Sequence, residues 1–408
     1  MRTILSLKVR DKNDINDVVY FNPYTLKVNK ERKLPPLSLH HTVNYGVNKP
    51  KILKIFLGNH CNLRCLYCDV PSSQYKKRAF DLNNFLSLIK EHIQLDDLEK
   101  IEFCGGEPLI YWDAMQKIMS TFNTVSYSLE TNGLLLNKEI VDVLIEKNFT
   151  VVLSHDGPEP NYRGEENVLD VHKDLINVLY QTLNPEGRFF INSVLTDLCP
   201  SPINIIKFFI EQFDENIKFF KLNLVIPTNK KALKIANKIE NLSHIILNDL
   251  MTGEKYFQKI VVYNRLFKYF QDAFNSDSFF YDAKNSLCFM ADSRAFTTDL
   301  NGNLFSCHTH ASNDDDRVGN LFELENLDSN ELGCHPMSRS RCSICPVLAF
   351  CRGICPQISK IEEVKTSCHL KYEWYSALLV YFIYKFTGLK ILEFCGDYFL
   401  KNEHLELF

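Results

Sequence analysis

The chain has 408 residues, with 46 Lys and Arg against 50 Asp and Glu, for a formal net charge of −4. That balance gives no electrostatic reason to expect nucleic acid or an anionic membrane as the main partner. A content of 45% hydrophobic and 24% charged residues excludes disorder as the dominant state. The longest strongly apolar run, Tyr375 to Tyr384, falls well short of the ~20 residues of a spanning helix, and the N-terminus shows no signal peptide. A cytoplasmic chain of roughly two or three packed units, without a membrane anchor, is expected. Its outlying count is 14 cysteines, and in such a chain motif spacings point to metal or catalysis rather than to disulfides.

Residues 1–50 read as an N-terminal extension with two extended segments, Ile4 to Val9 and Val18 to Val28, and a loop at Pro35–Pro36. A regular alternation occupies residues 51–227. Its strands are Ile52–Leu57, Lys100–Cys104, Ser126–Glu130, Val151–His155, Phe189–Leu195 and Phe219–Ile226. Its helices are Leu82–Ile93, Trp112–Phe122, Lys138–Lys147, Val168–Leu183 and Ile203–Phe213. Such units pair their strands in parallel, and apolar strands suit a sheet with helices on one face and a packed or ligand-filled interior on the other. The fold class is α/β, a partial (β/α)6 TIM-like barrel, open because only six strands can be counted. Residues 228–285 read as a helical bridge, with helical spacing over Ala232–Ile246 and Tyr256–Phe274. Residues 286–370 are a cysteine-rich domain with little periodic structure, and residues 371–408 a C-terminal helical segment.

The first strand runs into Gly58–Asn59–His60 and then Cys61-x3-Cys65-x2-Cys68. Three thiolates on one loop can hold three irons of a [4Fe–4S] cubane and leave the fourth open to a ligand. A zinc knuckle is the alternative, with His60 as its fourth ligand at the cost of loop strain. Position favours the cluster, because loops after barrel strands build active sites. This loop, with Tyr67 at its aromatic position, resembles the radical S-adenosylmethionine (SAM) superfamily. A second element agrees: Gly105–Gly106–Glu107–Pro108 ends the second strand and resembles the superfamily's GGEP motif, which implies that its backbone and Glu107 receive the SAM amino group. Weaker matches follow at Thr131–Asn132–Gly133 and Ser154–His155–Asp156–Gly157. The resemblance implies Ser154 on the SAM ribose and Arg163 on the SAM carboxylate, a solvated surface arginine being the alternative for Arg163. Cys104, Cys199 and Cys395 read as small buried residues.

The remaining cysteines run Cys288-x13-Gly302-x4-Cys307, then Cys342-x2-Cys345-x5-Cys351-x3-Cys355, and finally Cys368. This resembles the seven-cysteine SPASM extension of radical SAM enzymes. It implies two auxiliary [4Fe–4S] clusters, hence three in all. Cys342, Cys345, Cys351 and Cys368 would close the distal one, and Cys288, Cys307 and Cys355 would hold the proximal one. A zinc-ribbon domain is the alternative. A further Cys that some relatives carry soon after the first SPASM cysteine is missing from residues 289–294. The proximal cluster is then either open at one iron or closed by Cys334, with His308 and His310 as lesser candidates. His308 also stands where sulfatase maturases carry an Asp proton acceptor. It is a candidate general base, or a histidine hydrogen-bonded near a cluster.

By resemblance, SAM cleavage would give a 5′-deoxyadenosyl radical that removes hydrogen from carbon, with the protein supplying orientation and shielding. The reading is a radical SAM peptide maturase that modifies, chiefly by crosslinking, side chains of a ribosomally made precursor peptide. Its partners would be that peptide or protein substrate, a reductant such as flavodoxin or ferredoxin, and a leader-binding element or separate protein. Formylglycine formation, small-molecule oxidation and a non-catalytic electron-transfer or zinc scaffold are the alternatives.

Overall fold

The computed structural model describes residues 5–11, 13, 15–22, 27–29, 51–70, 80–92, 98–275, 295–305, 307–309, 311, 316–321, 342, 345–355 and 358–395. Three strands come first: β1 (Leu5–Arg10), β2 (Asn16–Asn22) and β3 (Lys27–Asn29). The alternation then runs β4 (Ile52–Phe56), α1 (Leu82–His92), β5 (Lys100–Cys104), α2 (Trp112–Thr121), β6 (Ser126–Thr131), α3 (Lys138–Glu146), β7 (Thr150–Ser154), α4 (Val168–Val171), α5 (Lys173–Leu183), β8 (Phe189–Leu195), α6 (Pro202–Gln212) and β9 (Phe220–Leu224). Next come α7 (Lys230–Ala236), α8 (Leu242–Phe257), α9 (Val261–Asn275), β10 (Ala295–Asp299), β11 (Asn303–Phe305), β12 (Arg317–Asn320), α10 (Leu348–Cys351), α11 (Ile361–Thr387) and β13 (Lys390–Cys395).

Local chemistry sets several boundaries. Asn137, Ser201 and Asn229 cap α3, α6 and α7 with side-chain oxygens that accept the first free amides, and Pro202 opens α6. The expected single helix over Val168–Leu183 is two. His172 leaves helical geometry at φ −129°, ψ 31°, and its ring Nε2 lies 3.1 Å from the Leu134 carbonyl. Helix α11 spans 27 residues, crosses residue 370 and stops where Gly388 turns left-handed at φ 74°. The chain beyond it is not all helix: β13 pairs antiparallel with β1, giving a four-stranded sheet ordered β13-β1-β2-β3.

The main sheet has nine strands in the order β12-β11-β10-β4-β5-β6-β7-β8-β9. Strands β4 to β9 are neighbours in sequence and pair in parallel, as expected. The count of six parallel strands falls one short. Strand β10, from the cysteine-rich segment, joins β4 in parallel with Ala295 opposite Ile52 and Asp299 opposite Phe56. The order ends at β12 and β9 without a pairing between them, so the barrel is partial and open.

Apolar strands hold on β7, where Val151, Val152 and Leu153 are all buried, but β5 and β8 alternate. Along β5, Ile101 and Phe103 are buried while Lys100, Glu102 and Cys104 take the other face. On β8, Phe189, Ile191, Ser193 and Leu195 alternate with the half-exposed Phe190, Asn192 and Val194. This period of two marks one face packed under helices and an inward face that stays polar. Among the described residues no helix is long and apolar enough to cross a membrane.

Candidate functional site

The C-terminal ends of the parallel strands carry the site. Beyond β4 and β5 the sheet pairing continues into the loops: Leu57 donates to the Cys104 carbonyl at 2.9 Å, Gly106 to the Gly58 carbonyl at 2.9 Å, and Glu107 to the His60 carbonyl at 2.8 Å. The glycines make this contact possible. A Cβ on Gly106 would meet the His60 oxygen at 2.3 Å, and one on Gly105 would meet the Gly58 oxygen at 2.5 Å. Gly105 also sits at φ +143°, which side chains rarely adopt. The cradle of Gly105 and Gly106 is therefore filled by the backbone of the cysteine loop, so the two motifs are one unit.

Glu107 is buried and accepts three hydrogen bonds, from Thr131 Oγ1 (2.7 Å), the Asn132 amide (2.9 Å) and the Leu109 amide (3.1 Å). Burial raises its carboxyl above the ordinary range. A carboxylate offers about four acceptor sites, so one lone pair is left for a further donor. Asn132 extends the link: its Nδ2 donates to Asn62 Oδ1 at 2.8 Å and lies 3.9 Å from Cys61 Sγ.

Cys61, Cys65 and Cys68 share this one loop, and Cys68 feels the charges of both other thiols. Burial raises all three, Cys68 to about 12 with help from Asp69, so the bare thiols stay protonated. A bound metal would have to displace those protons. Among the described residues no three such donors are already drawn to metal-holding distance. The fit to a cluster therefore rests on the donor set, three thiols on one short loop, which suits iron–sulfur chemistry better than a closed zinc site. Among the described residues, the buried His60 Nε2 has no hydrogen-bond partner. A cleft opens beside it, lined by Phe56, Gly58, Tyr111, Asp299 and Asn301.

Tyr67 and Arg163 come together, with an acidic residue that the sequence did not single out. The Tyr67 hydroxyl donates to Asp156 Oδ2, Arg163 Nη1 donates to Tyr67 Oη at 3.2 Å, and Nη1 stands 3.8 Å from Asp156 Oδ1. Val194 N holds the same carboxylate oxygen at 3.0 Å. Arg163 is thus no surface arginine. Its carbonyl accepts from Cys65 Sγ at 3.6 Å, and Tyr162 accepts the Leu66 amide at 2.8 Å, so the loop after β7 grips the cysteine loop directly. His155 is buried between Asn167 Oδ1 (2.8 Å) and the Gly157 amide (3.0 Å), and burial lowers its pKa and keeps it neutral. The Ser154 hydroxyl makes no hydrogen bond among the described residues.

The inward face below is charged. Lys54 Nζ lies 3.4 Å and Lys100 Nζ 2.7 Å from the Glu102 carboxylate. Burial alone would raise Glu102, but the ammonium groups of Lys54, Lys100 and Lys221 override it and hold the carboxyl at about 2. Lys221, on β9, adds the smallest of these pulls on the carboxylate. Asn223 Nδ2 donates to Asn192 Oδ1 at 2.7 Å, and Asn192 donates in turn to Glu130. The alternation in the strand sequences carried this belt, but apolar content alone hid it.

The second cysteine group is partly described. Cys345 and Cys351 pack against the main core, while Cys355 and Cys368 pack on the same small apolar cluster. Cys307 follows β11, with its Sγ 3.7 Å from His308 Nδ1 and 3.6 Å from Thr309 Oγ1. Thr309 in turn donates to Asp69 at 3.4 Å, tying the two cysteine regions together. Cys104 packs as a small residue against the apolar cluster of Phe56, Val70, Phe305 and Ala311, as expected. Cys288, His310, Cys334 and residues 289–294 lie outside the described residues.

Residues 55–181 match the model of the Radical SAM superfamily. The chain is 23% identical over 388 residues to the radical SAM cyclopropyl synthase TigE of Paramaledivibacter caminithermalis, covering 85% of this chain and 77% of TigE. It is 28% identical over 211 residues to an uncharacterised protein of Methanocaldococcus jannaschii, covering 48% and 70% of the two chains. Among solved structures, anSMEcpe with bound AdoMet superposes with a TM-score of 0.59 at 20% identity, covering 83% of this chain and 99% of that one. Streptococcus suis SuiB gives 0.52 at 20% identity, covering 76% and 74%. At these identities the structural likeness is one of fold. The chain carries a radical SAM domain over residues 55–181, and members of that superfamily are enzymes that work with a [4Fe–4S] cluster and SAM.

Proposed function

We propose that this enzyme forms carbon–carbon or carbon–sulfur links in a precursor peptide, with residues 286–370 as a domain of two auxiliary clusters. The observation that carries the reading is the open, polar inward face beneath the cysteine loop, bordered by sheet edges that do not meet. An extended chain can enter such a bed from the side, and its charged and amide groups suit a peptide. The likeness to TigE over 85% of this chain, well beyond the radical SAM domain, supports a bond-forming reaction. The anSMEcpe fold also accommodates a bound peptide.

When bound, the cluster and SAM supply an adenosyl radical that removes hydrogen from carbon. Cys61, Cys65 and Cys68 would hold that cluster. The Gly58–Gly105–Gly106 backbone contact and Glu107 would fix SAM's amino end, the free hydroxyl of Ser154 its ribose, and Arg163 its carboxylate. Tyr67 and Asp156 orient Arg163 and keep the loop closed. Cys342, Cys345, Cys351 and Cys368 would hold the distal cluster, and Cys288, Cys307 and Cys355 the proximal one. His308, beside Cys307, is placed to take a proton at its ring nitrogen. Formylglycine formation remains the second reading, disfavoured by His308 standing where an Asp is needed.

The test is anaerobic: purified enzyme, dithionite, SAM and short peptides encoded beside the gene. The expected result is 5′-deoxyadenosine together with a peptide lighter by two hydrogens. 5′-Deoxyadenosine release with every such peptide unchanged, and a small molecule consumed instead, would overturn the peptide assignment.

A further inference from the structure

The first cysteine loop is held from three different strand ends by contacts that spare its sulfurs. Beyond β6, Asn132 Nδ2 donates to Asn62, the neighbour of Cys61, at 2.8 Å. Beyond β7, the Tyr162 carbonyl accepts from Leu66, the neighbour of Cys65, at 2.8 Å. Beyond β9, Asn229 Nδ2 donates to the carbonyl of Cys68 itself at 3.2 Å. The Cys68 thiol donates only locally, to the Val70 carbonyl at 3.3 Å. A metal that displaces the thiol proton ends that contact, whereas the Asn229 contact survives it.

Asn229 also starts a helix. Its Oδ1 accepts the Lys231 and Ala232 amides, both at 2.9 Å, and so caps α7. Capping alone does not call for Asn, since Asp and Ser cap about as well. Among these, only the carboxamide of Asn accepts with one atom and donates with the other. The platform beneath it is itself fixed. Thr228 donates to the Ile226 carbonyl at 2.8 Å, and Ile226 packs on Ile354, Ile358 and Val364 beside Cys355 and Cys368. At the far end of α7, Asn237 accepts from Thr366 of α11 at 2.8 Å. Lys238 stands 3.6 Å from Asp197, which accepts from the same Tyr162 that holds Leu66. Both ends of α7 therefore bear on the cysteine loop.

We propose that Asn229 is a positioning residue for the SAM-cleaving centre, holding the Cys68 carbonyl and so limiting how far the third thiol can swing from the other two. The proposal rests on the reading of Cys61, Cys65 and Cys68 as the ligands of that centre. The peptide plane transmits the hold: a fixed Cys68 carbonyl fixes ψ of Cys68, one of its two soft backbone torsions. Asn229 thus ties the third ligand to α7, and α7 ties it to the helix that carries Cys368.

The test is iron release to a ferrous chelator from the reconstituted full chain, followed by the electron paramagnetic resonance signal that changes when SAM is added. The denaturant midpoint of the full chain before reconstitution is measured alongside. Asn229→Ser and Asn229→Asp keep the cap and lose the donor, and the Ser hydroxyl ends one bond short of the carbonyl. Both should leave the midpoint unchanged and speed loss of the SAM-sensitive signal at least about tenfold, the usual effect of removing a partner that orients a ligand. Asn229→Ala should speed it as much and lower the midpoint as well. Release at the wild-type rate in the Ser and Asp variants overturns the positioning role. Faster release that comes only in step with a lower midpoint leaves Asn229 a helix cap and overturns it too. Cys68→Ala separates the two readings. A SAM-sensitive signal that persists in Cys68→Ala overturns the ligand reading and the proposal with it, whereas its loss there beside wild-type release in Asn229→Ser overturns the positioning role alone.

Discussion

Gly106 serves the site by having no side chain. Its Cβ would fall 2.3 Å from the His60 oxygen and 2.7 Å from the Asn59 oxygen, both backbone atoms that have no rotamer to yield. Gly106→Ala should therefore cost about 1–3 kcal/mol, as overpacking does, and should lower iron loading at the first cluster. Denaturant midpoints with iron analysis check both. Asp156 works by charge instead. It compensates Arg163, whose side chain is only 13% exposed, and it accepts from Tyr67 and Val194. Asp156→Ala orphans a buried guanidinium and should destabilise by about 3–5 kcal/mol, whereas Asp156→Asn should retain the Tyr67 contact and lose less. Equal stability of Asp156→Ala and wild type would remove Asp156 from this role. The thiols give the bluntest test: alanine at Cys61, Cys65 or Cys68 should abolish 5′-deoxyadenosine formation under dithionite, read by chromatography.

At the scale of elements, the alternation of β4 to β9 was legible because their strands are short, β-branched or aromatic, and separated by capped helices. Strand β10 was not. Ala295–Asp299 reads AFTTD, an ordinary segment in a loop-rich region, and only its register with β4 makes it a barrel strand. The polar inward row escaped for a related reason, since single Lys and Glu residues inside apolar strands are visible but their partners lie on other strands. Asp156 stands in the sequence only as one residue of the weak match at Ser154–Gly157, because nothing local says that Arg163 and Tyr67 will meet it. The row makes a pH prediction. Glu102 is held at about 2 from an ordinary 4.5 by Lys54, Lys100 and Lys221 acting against burial. A depressed carboxyl contributes stability that is present above pH 4.5 and lost as pH falls toward 2. Glu102→Gln should thus be least stable relative to wild type above pH 4.5, and the gap should narrow as pH falls toward 2. A gap independent of pH across that window would show that the pairing carries no stability.

For the whole molecule, the two cysteine regions are not separate attachments. Thr309 donates to Asp69 beside Cys68, β10 from the cysteine-rich segment completes the parallel sheet against β4, and α11 carries Cys368 while packing on α8. Clusters held at both regions would therefore stabilise one sheet, and their number is readable as iron. Three cubanes predict about twelve iron per chain after anaerobic reconstitution. The Cys61, Cys65, Cys68 triple alanine variant should fall to about eight, and so should a variant lacking Cys342, Cys345, Cys351 and Cys368. Cys334→Ala divides the remaining possibilities: an unchanged iron content and unchanged spectra fit a proximal cluster with one open iron, whereas loss of about four iron makes Cys334 its fourth ligand. About four iron in the unmodified protein would leave only the SAM-cleaving cluster and return residues 286–370 to a zinc-ribbon reading, which zinc analysis on the same sample would decide.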